Sequence, residues 1–133
     1  DPTSAYSGVI SIFCDRLLKD KNITIKGGFQ TRDFIYVKDV VDAIYKSLTI
    51  AHQNILCEHI NVLTGKSISV EQVADMLIDK VGANSEKIYA DLPPGDPEKS
   101  YGATAKMERV LGTDLEAMVS ISAGLSSTVE YIR

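Results

Sequence analysis

No uninterrupted apolar stretch in this 133-residue chain approaches the roughly 18 residues that a membrane-spanning helix requires. Nor does the chain open on the charged, apolar and small-residue series of a secretory signal, so the cytoplasm is its expected home. Charge of one sign is nowhere gathered. The 14 Lys and Arg and 18 Asp and Glu give a net charge of −4, without a long like-charged block. A nucleic-acid or membrane-surface protein would concentrate positive charge in a patch, so neither partner is expected. Cysteine is scarce: Cys14 and Cys57 lie far apart without a Cys-x-x-Cys spacing, and both read as thiols. No internal repeat recurs, which excludes a solenoid.

What is present is ordinary for a folded protein. Hydrophobic residues make up 44% and charged residues 24%, and a chain of this length buries about two thirds of the surface its unfolded form exposes. One domain over residues 1–133 is expected. From Ser7 to Asp20 the positions Val9, Ile10, Ile12, Phe13, Leu17 and Leu18 recur at helical spacing. Ile23-Thr24-Ile25 alternates as a short strand before the Gly27-Gly28 turn, and Asp33 to Val37 reads as extended. Val37, Val40, Val41, Ile44, Tyr45 and Leu48 mark one face of a second helix that ends near His52, with Asp39 and Asp42 in its early turns.

Further along, His59 to Leu63 is expected as a strand, and Thr64-Gly65-Lys66 as a turn. Ser69 followed by Gln72 fits a capping box for a helix carrying Val73, Leu77 and Val81 and stopping at Gly82. Lys87 to Ala90 reads as a strand. Leu92 to Pro97 contains three prolines and must be a loop. Helices are expected at Lys106–Leu111 and Gly124–Ile132, with the segment between them unassigned. Alternating helices and short strands indicate an α/β or α+β domain.

The candidate chemistry is sparse. Cys57, Glu58 and His59, with His52 upstream, form the one tight group of ligand-type residues, but in a strand only Cys57 and His59 would share a face. Two ligands do not make a zinc site, so no metal is expected. His59 as a general base lacks a neighbouring nucleophile and orienting carboxylate. Tyr36, Tyr89 and Tyr101 are read as strand packing, since no lysine lies four residues after any tyrosine. Arg32 follows a glycine turn, where its guanidinium could grip a phosphate through parallel hydrogen bonds or pair with Asp33 or Asp39. Pro94-Gly95-Asp96 presents a carboxylate able to accept from ribose hydroxyls, or forms a plain turn.

Several segments carry a resemblance in combination: Tyr6 to Phe13, Thr31-Arg32-Asp33-Phe34-Ile35-Tyr36-Val37-Lys38-Asp39-Val40-Val41-Asp42-Ala43, Ile60-Asn61-Val62, Thr64 to Val70, Pro94 to Ser100, and Lys106 to Gly112. In that order and spacing they resemble the C-terminal half of the NAD-dependent nucleotide-sugar epimerases and dehydratases, an extended branch of the short-chain dehydrogenases. The likeness is greatest to UDP-glucose and UDP-N-acetylglucosamine 4-epimerases. It implies a small substrate-binding domain in which Arg32 contacts a diphosphate and Asp96 a nucleotide ribose. It also implies that Gly8, Val9, Thr24 and Lys26 line the base.

In that family NAD and the catalytic Tyr-x-x-x-Lys pair belong to a Rossmann domain. This sequence holds neither that pair nor a Gly-x-Gly-x-x-Gly or Gly-x-x-Gly-x-x-Gly run, and it opens at Asp1. The resemblance therefore implies part of an enzyme, with no catalytic residue and no bound cofactor of its own, completed by a Rossmann domain or, as a free-standing non-catalytic module, by homo-oligomerisation. Four positions depart from the pattern. Gly27-Gly28 is one residue short of the usual Gly-Asp-Gly, and Lys26 stands where an aromatic or small polar residue is usual. Leu63 replaces a glycine, and Pro93 replaces a second phosphate-binding arginine. Loss of one such charge-assisted contact costs about 1.5 to 3 kcal/mol of binding.

Overall fold

The computed structural model describes residues 8–50 and 59–133. The elements run α1 (Val9–Leu17), β1 (Ile23–Lys26), β2 (Thr31–Asp33), α2 (Val37–Ile50), β3 (Ser67–Ser69), α3 (Val70–Val81), β4 (Lys87–Ala90), α4 (Ala105–Leu111), a 3-10 turn (Leu115–Ala117) and α5 (Ile121–Ile132). β1 pairs in parallel with β4, Ile23 opposite Lys87 and Lys26 opposite Ala90. β2 pairs antiparallel with β3, Arg32 opposite Ile68. The mixture of helices and two small sheets is the α/β arrangement expected.

The main core gathers Phe13, Cys14 and Leu17 of α1, Ile23 and Ile25 of β1, Val73, Ala74 and Leu77 of α3, and Leu125 and Val129 of α5. Strand periodicity decides what this leaves outside: with Ile23 and Ile25 fully buried, Thr24 and Lys26 must face the opposite side of the sheet, and both are exposed. α3 is defined by local chemistry. The Ser69 side chain accepts from Gln72 N, the Gln72 side chain accepts from Ser69 N, and Gly82 ends the helix at φ 71°. Both ends match the capping signals in the sequence.

Four expectations are corrected. Residues 59–63 are not a strand. Ile60 and Val62 do face inward alternately, but they pack on Ala43 of α2 and on Met107 and Leu111 of α4 rather than against a ladder partner. The strand that pairs forms later, at Ser67–Ser69, because Asp33 accepts from Thr64 N at 3.0 Å and Gly65 N at 2.8 Å and so draws the chain alongside β2. The extended piece likewise lies at Thr31–Asp33 rather than Asp33–Val37. Further along, α5 starts three residues before Gly124, capped by Ser120, whose hydroxyl accepts from Ala123 N. Gly124 lies inside the helix, where a Cβ would meet the Tyr36 ring at 3.3 Å. That ring packs against a helix, Tyr89 is the one strand tyrosine of the three expected, and Tyr101 is 79% exposed in a loop.

The second helix has the predicted apolar face, but it points outward. Val37, Val41, Ile44, Tyr45 and Leu48 are each more than half exposed, and Ala43 is the one buried residue of α2. Among the described residues no helix is long and apolar enough to cross a membrane.

Candidate functional site

α1 and β1 diverge to leave a cleft of about 440 Å³. Val9, Ile12, Phe13 and Arg16 form its helical wall, one face of α1 at i, i+3, i+4 and i+7. Thr24 and Lys26 project into it from the outer face of β1, and Gln30, Arg32, Val70 and Asp96 close the end beyond the glycine turn. Five of the six residues expected at a site, Val9, Thr24, Lys26, Arg32 and Asp96, thus meet in one cleft. The sixth, Gly8, is the N-cap of α1 beside Val9 and does not line the cleft.

Arg32 is held by its strand. Thr31 N donates to Glu98 O at 2.8 Å, and Ser100 N donates to Thr31 O at 3.1 Å, so β2 is stitched to the loop that carries Asp96. The Arg32 Nη1 group donates to Thr31 O at 2.9 Å and Pro97 O at 2.8 Å, and Nη2 donates to Asp96 Oδ1 at 2.5 Å. Neither Asp33 nor Asp39 is its partner: Asp33 holds Thr64 and Gly65, and Asp39 accepts from Val119 N at 3.1 Å. A guanidinium has five N–H donors; among the described residues three of those of Arg32 are used, which leaves two without a partner.

Asp96 is delivered by a tight turn. Its N–H donates to Pro93 O at 3.1 Å, with Pro94 and Gly95 between them and Gly95 at φ 87°, the pattern of a type II turn. Among the described residues its Oδ2 accepts no hydrogen bond, so one carboxylate oxygen stays available to hydroxyl donors. Pro93, a departure from the family pattern, thus supplies the carbonyl that closes the turn. Leu63, another, covers Gly102, where an added Cβ would lie 2.8 Å from Leu63 Cδ1. The short glycine turn is fixed from inside, since buried Gln30 donates from Nε2 to Lys26 O at 2.6 Å.

Electrostatics separate this cleft from its rival. A second cavity of about 460 Å³ lies between β3, the 3-10 turn and α5, but its charged residues, Lys66 and Glu116, pair with each other at 3.3 Å. The first cleft holds Arg16, Lys26 and Arg32 against Asp96 alone, an excess of two positive charges in a chain of net charge −4. It suits an anion. Among the described residues no three His, Cys, Asp or Glu side chains gather as a metal site; His52, Cys57 and Glu58 lie outside those residues, and His59 is exposed.

Sequence reasoning missed Arg16 and Gln30. The signal for Arg16 was available: it is the lone cation on the α1 face defined by Val9, Ile12 and Phe13. Gln30 carried none, since its role depends on the three-dimensional closure of the turn.

Residues 1–62 match the NAD dependent epimerase/dehydratase family. The chain is 31% identical over 128 residues to UDP-glucose 4-epimerase of Mycolicibacterium smegmatis, covering 96% of this chain and 39% of that protein. Among solved structures, UDP-glucose 4-epimerase of Thermotoga maritima, solved with UDP-glucose, superposes with a TM-score of 0.86 at 34% identity, covering 98% of this chain and 40% of the other. UDP-glucuronic acid 4-epimerase of Bacillus cereus, in complex with UDP-glucuronic acid and NAD, gives a TM-score of 0.86 at 29% identity, with 95% and 40% covered. The chain spans about two fifths of the length of these relatives. Sequence and fold together support a portion of an NAD-dependent epimerase/dehydratase.

Proposed function

We propose that this chain is the nucleotide-sugar-binding portion of an NAD-dependent UDP-sugar 4-epimerase. The observation that carries the reading is the meeting of Arg32 and Asp96, 64 residues apart in sequence, at one end of a positively charged cleft. The two unpaired donors of Arg32 take the diphosphate, the free oxygen of Asp96 takes a ribose hydroxyl, and Val9, Thr24 and Lys26 enclose the base. Several oriented contacts of this kind fix the substrate for chemistry performed elsewhere.

NAD does not fit this chain. The sequence has no glycine-rich phosphate loop of the kind that holds a dinucleotide pyrophosphate. Hydride transfer and epimerisation are assigned to the longer protein, and the isolated chain should show no turnover of UDP-sugars with NAD. The binding reading is tested by titrating the isotopically labelled chain with UDP-glucose: amide shifts should cluster at residues 24–32 and 93–98. Shifts confined to the second cavity, or none, would contradict it.

The outward apolar face of α2 supports a second reading alongside the first. Exposed apolar surface of this extent marks a contact, filled either by the Rossmann domain of a complete enzyme or by a second copy in a free-standing, non-catalytic module. UDP-sugar binding that is indifferent to Arg32→Ala would favour the module.

A further inference from the structure

The cleft has two cationic ends, and the nucleotide-sugar reading uses only one of them. Arg32 and Asp96 sit beyond the C-terminal end of β1, past the Gly27-Gly28 turn. Arg16 sits at the other end, where its Nε donates to Asn22 O at 2.6 Å, immediately before β1 begins. Asn22 and Lys26 are four residues apart, which at strand spacing is about 13 Å. Thr24 lies between them on the same face. Among the described residues neither Arg16 nor Lys26 meets a carboxylate, and the Arg16 side chain makes no hydrogen bond besides the one to Asn22 O.

That bond fixes how the Arg16 side chain is used. With Nε on a backbone carbonyl, the Nη groups are left as donors at the cleft wall, and a guanidinium has no acceptor to offer. A ligand bound with its phosphates at Arg32 and its ribose at Asp96 sends its base along β1 toward Arg16. We infer that Arg16 is a specificity-determining residue that accepts a base with a carbonyl oxygen on its far edge, as in uracil or thymine. It opposes a base that presents an amino group there, as in cytosine, because two donors would face each other. This assignment rests on the nucleotide-sugar reading above.

UDP and CDP separate the possibilities, since their bases have the same size and differ at this edge. Calorimetry on the whole 133-residue chain should show UDP binding about tenfold tighter than CDP, the scale of one wrong-base contact. Arg16→Ala should weaken UDP and abolish the difference between the two ligands, with no loss of CDP binding. Arg16→Gln, which keeps an N–H for Asn22 O, should do the same and guards against a fold defect. Equal binding of UDP and CDP by the unaltered chain, or an equal loss of both in the variants, would overturn the assignment. If both bind equally and both are lost in Arg32→Ala, the nucleotide reading stands and the role of Arg16 falls. If neither binds the unaltered chain, both fall.

Discussion

Asp33, next to Arg32 in β2, shows how much of the site depends on neighbours that never touch a ligand. Its carboxylate accepts from Thr64 N, the Thr64 hydroxyl and Gly65 N. Asp33→Ala leaves those donors without their partner and should lower stability by about 1 to 3 kcal/mol, read as a shift in the denaturant midpoint. Cys14 is a free, fully buried thiol, and burial raises its pKa to about 11. A thiol held neutral in the fold stabilises it fully below the unfolded value near 9, and that contribution disappears as pH rises through the folded value. Peptide mapping after alkylation should therefore find Cys14 unmodified in the native chain at neutral pH and modified once it is unfolded; rapid native labelling would contradict the burial. At this scale the sequence made Arg32 and Asp96 visible through their flanking motifs. Their mutual pairing was not visible, because a partner 64 residues away is chosen by the fold. Arg16 did carry a signal, as the lone cation on the face of Val9, Ile12 and Phe13, but a cation in the last turn of a helix is also ordinary helix chemistry and so did not stand out.

Elements were legible where their signals are local. Both ends of α3 could be read because a capping box and a terminal glycine act within a few residues. Ser69→Ala should cost about 1 kcal/mol, the usual worth of such a cap, in thermal or denaturant unfolding. Strands near residues 59–69 were misplaced because alternation reports which side is buried, not whether the burying neighbour is a strand or a helix. For the same reason the pattern of α2 could be read but not the direction of its apolar face: hydrophobic periodicity does not say which molecule covers the face. Leu48→Glu, at a position 67% exposed, should leave the melting temperature nearly unchanged and reduce any self-association seen by sedimentation. A large loss of stability would show that Leu48 belongs to the core.

Between α3 and β4, Lys87 contacts Glu71 and Asp75, and Tyr89 donates to Glu71 at 2.5 Å. These contacts hold the Glu71 carboxyl below its ordinary pKa, chiefly through the tyrosine hydroxyl and then the lysine. A depressed carboxylate contributes above its unfolded value, and the contribution fades as pH falls through the lower folded value. The acid limb of the stability profile should therefore shift in Glu71→Gln, whereas an unaltered limb would mean that the contact does not persist in solution.

At the scale of the whole molecule, the excess acid of the chain lies outside the cleft, and the cleft holds the opposite charge. The similarity to the epimerase/dehydratase family, the shared fold and the span of about two fifths of these relatives agree with the proposal of a binding portion. Direct calorimetry of UDP-glucose with the chain and with Arg32→Ala tests this account most closely. The account predicts saturable binding that weakens by at least about tenfold in the variant, the worth of a charge-assisted contact, while its circular dichroism and melting curve stay close to those of the unaltered chain. Equal affinity in both proteins, or no binding by the unaltered chain, would contradict it.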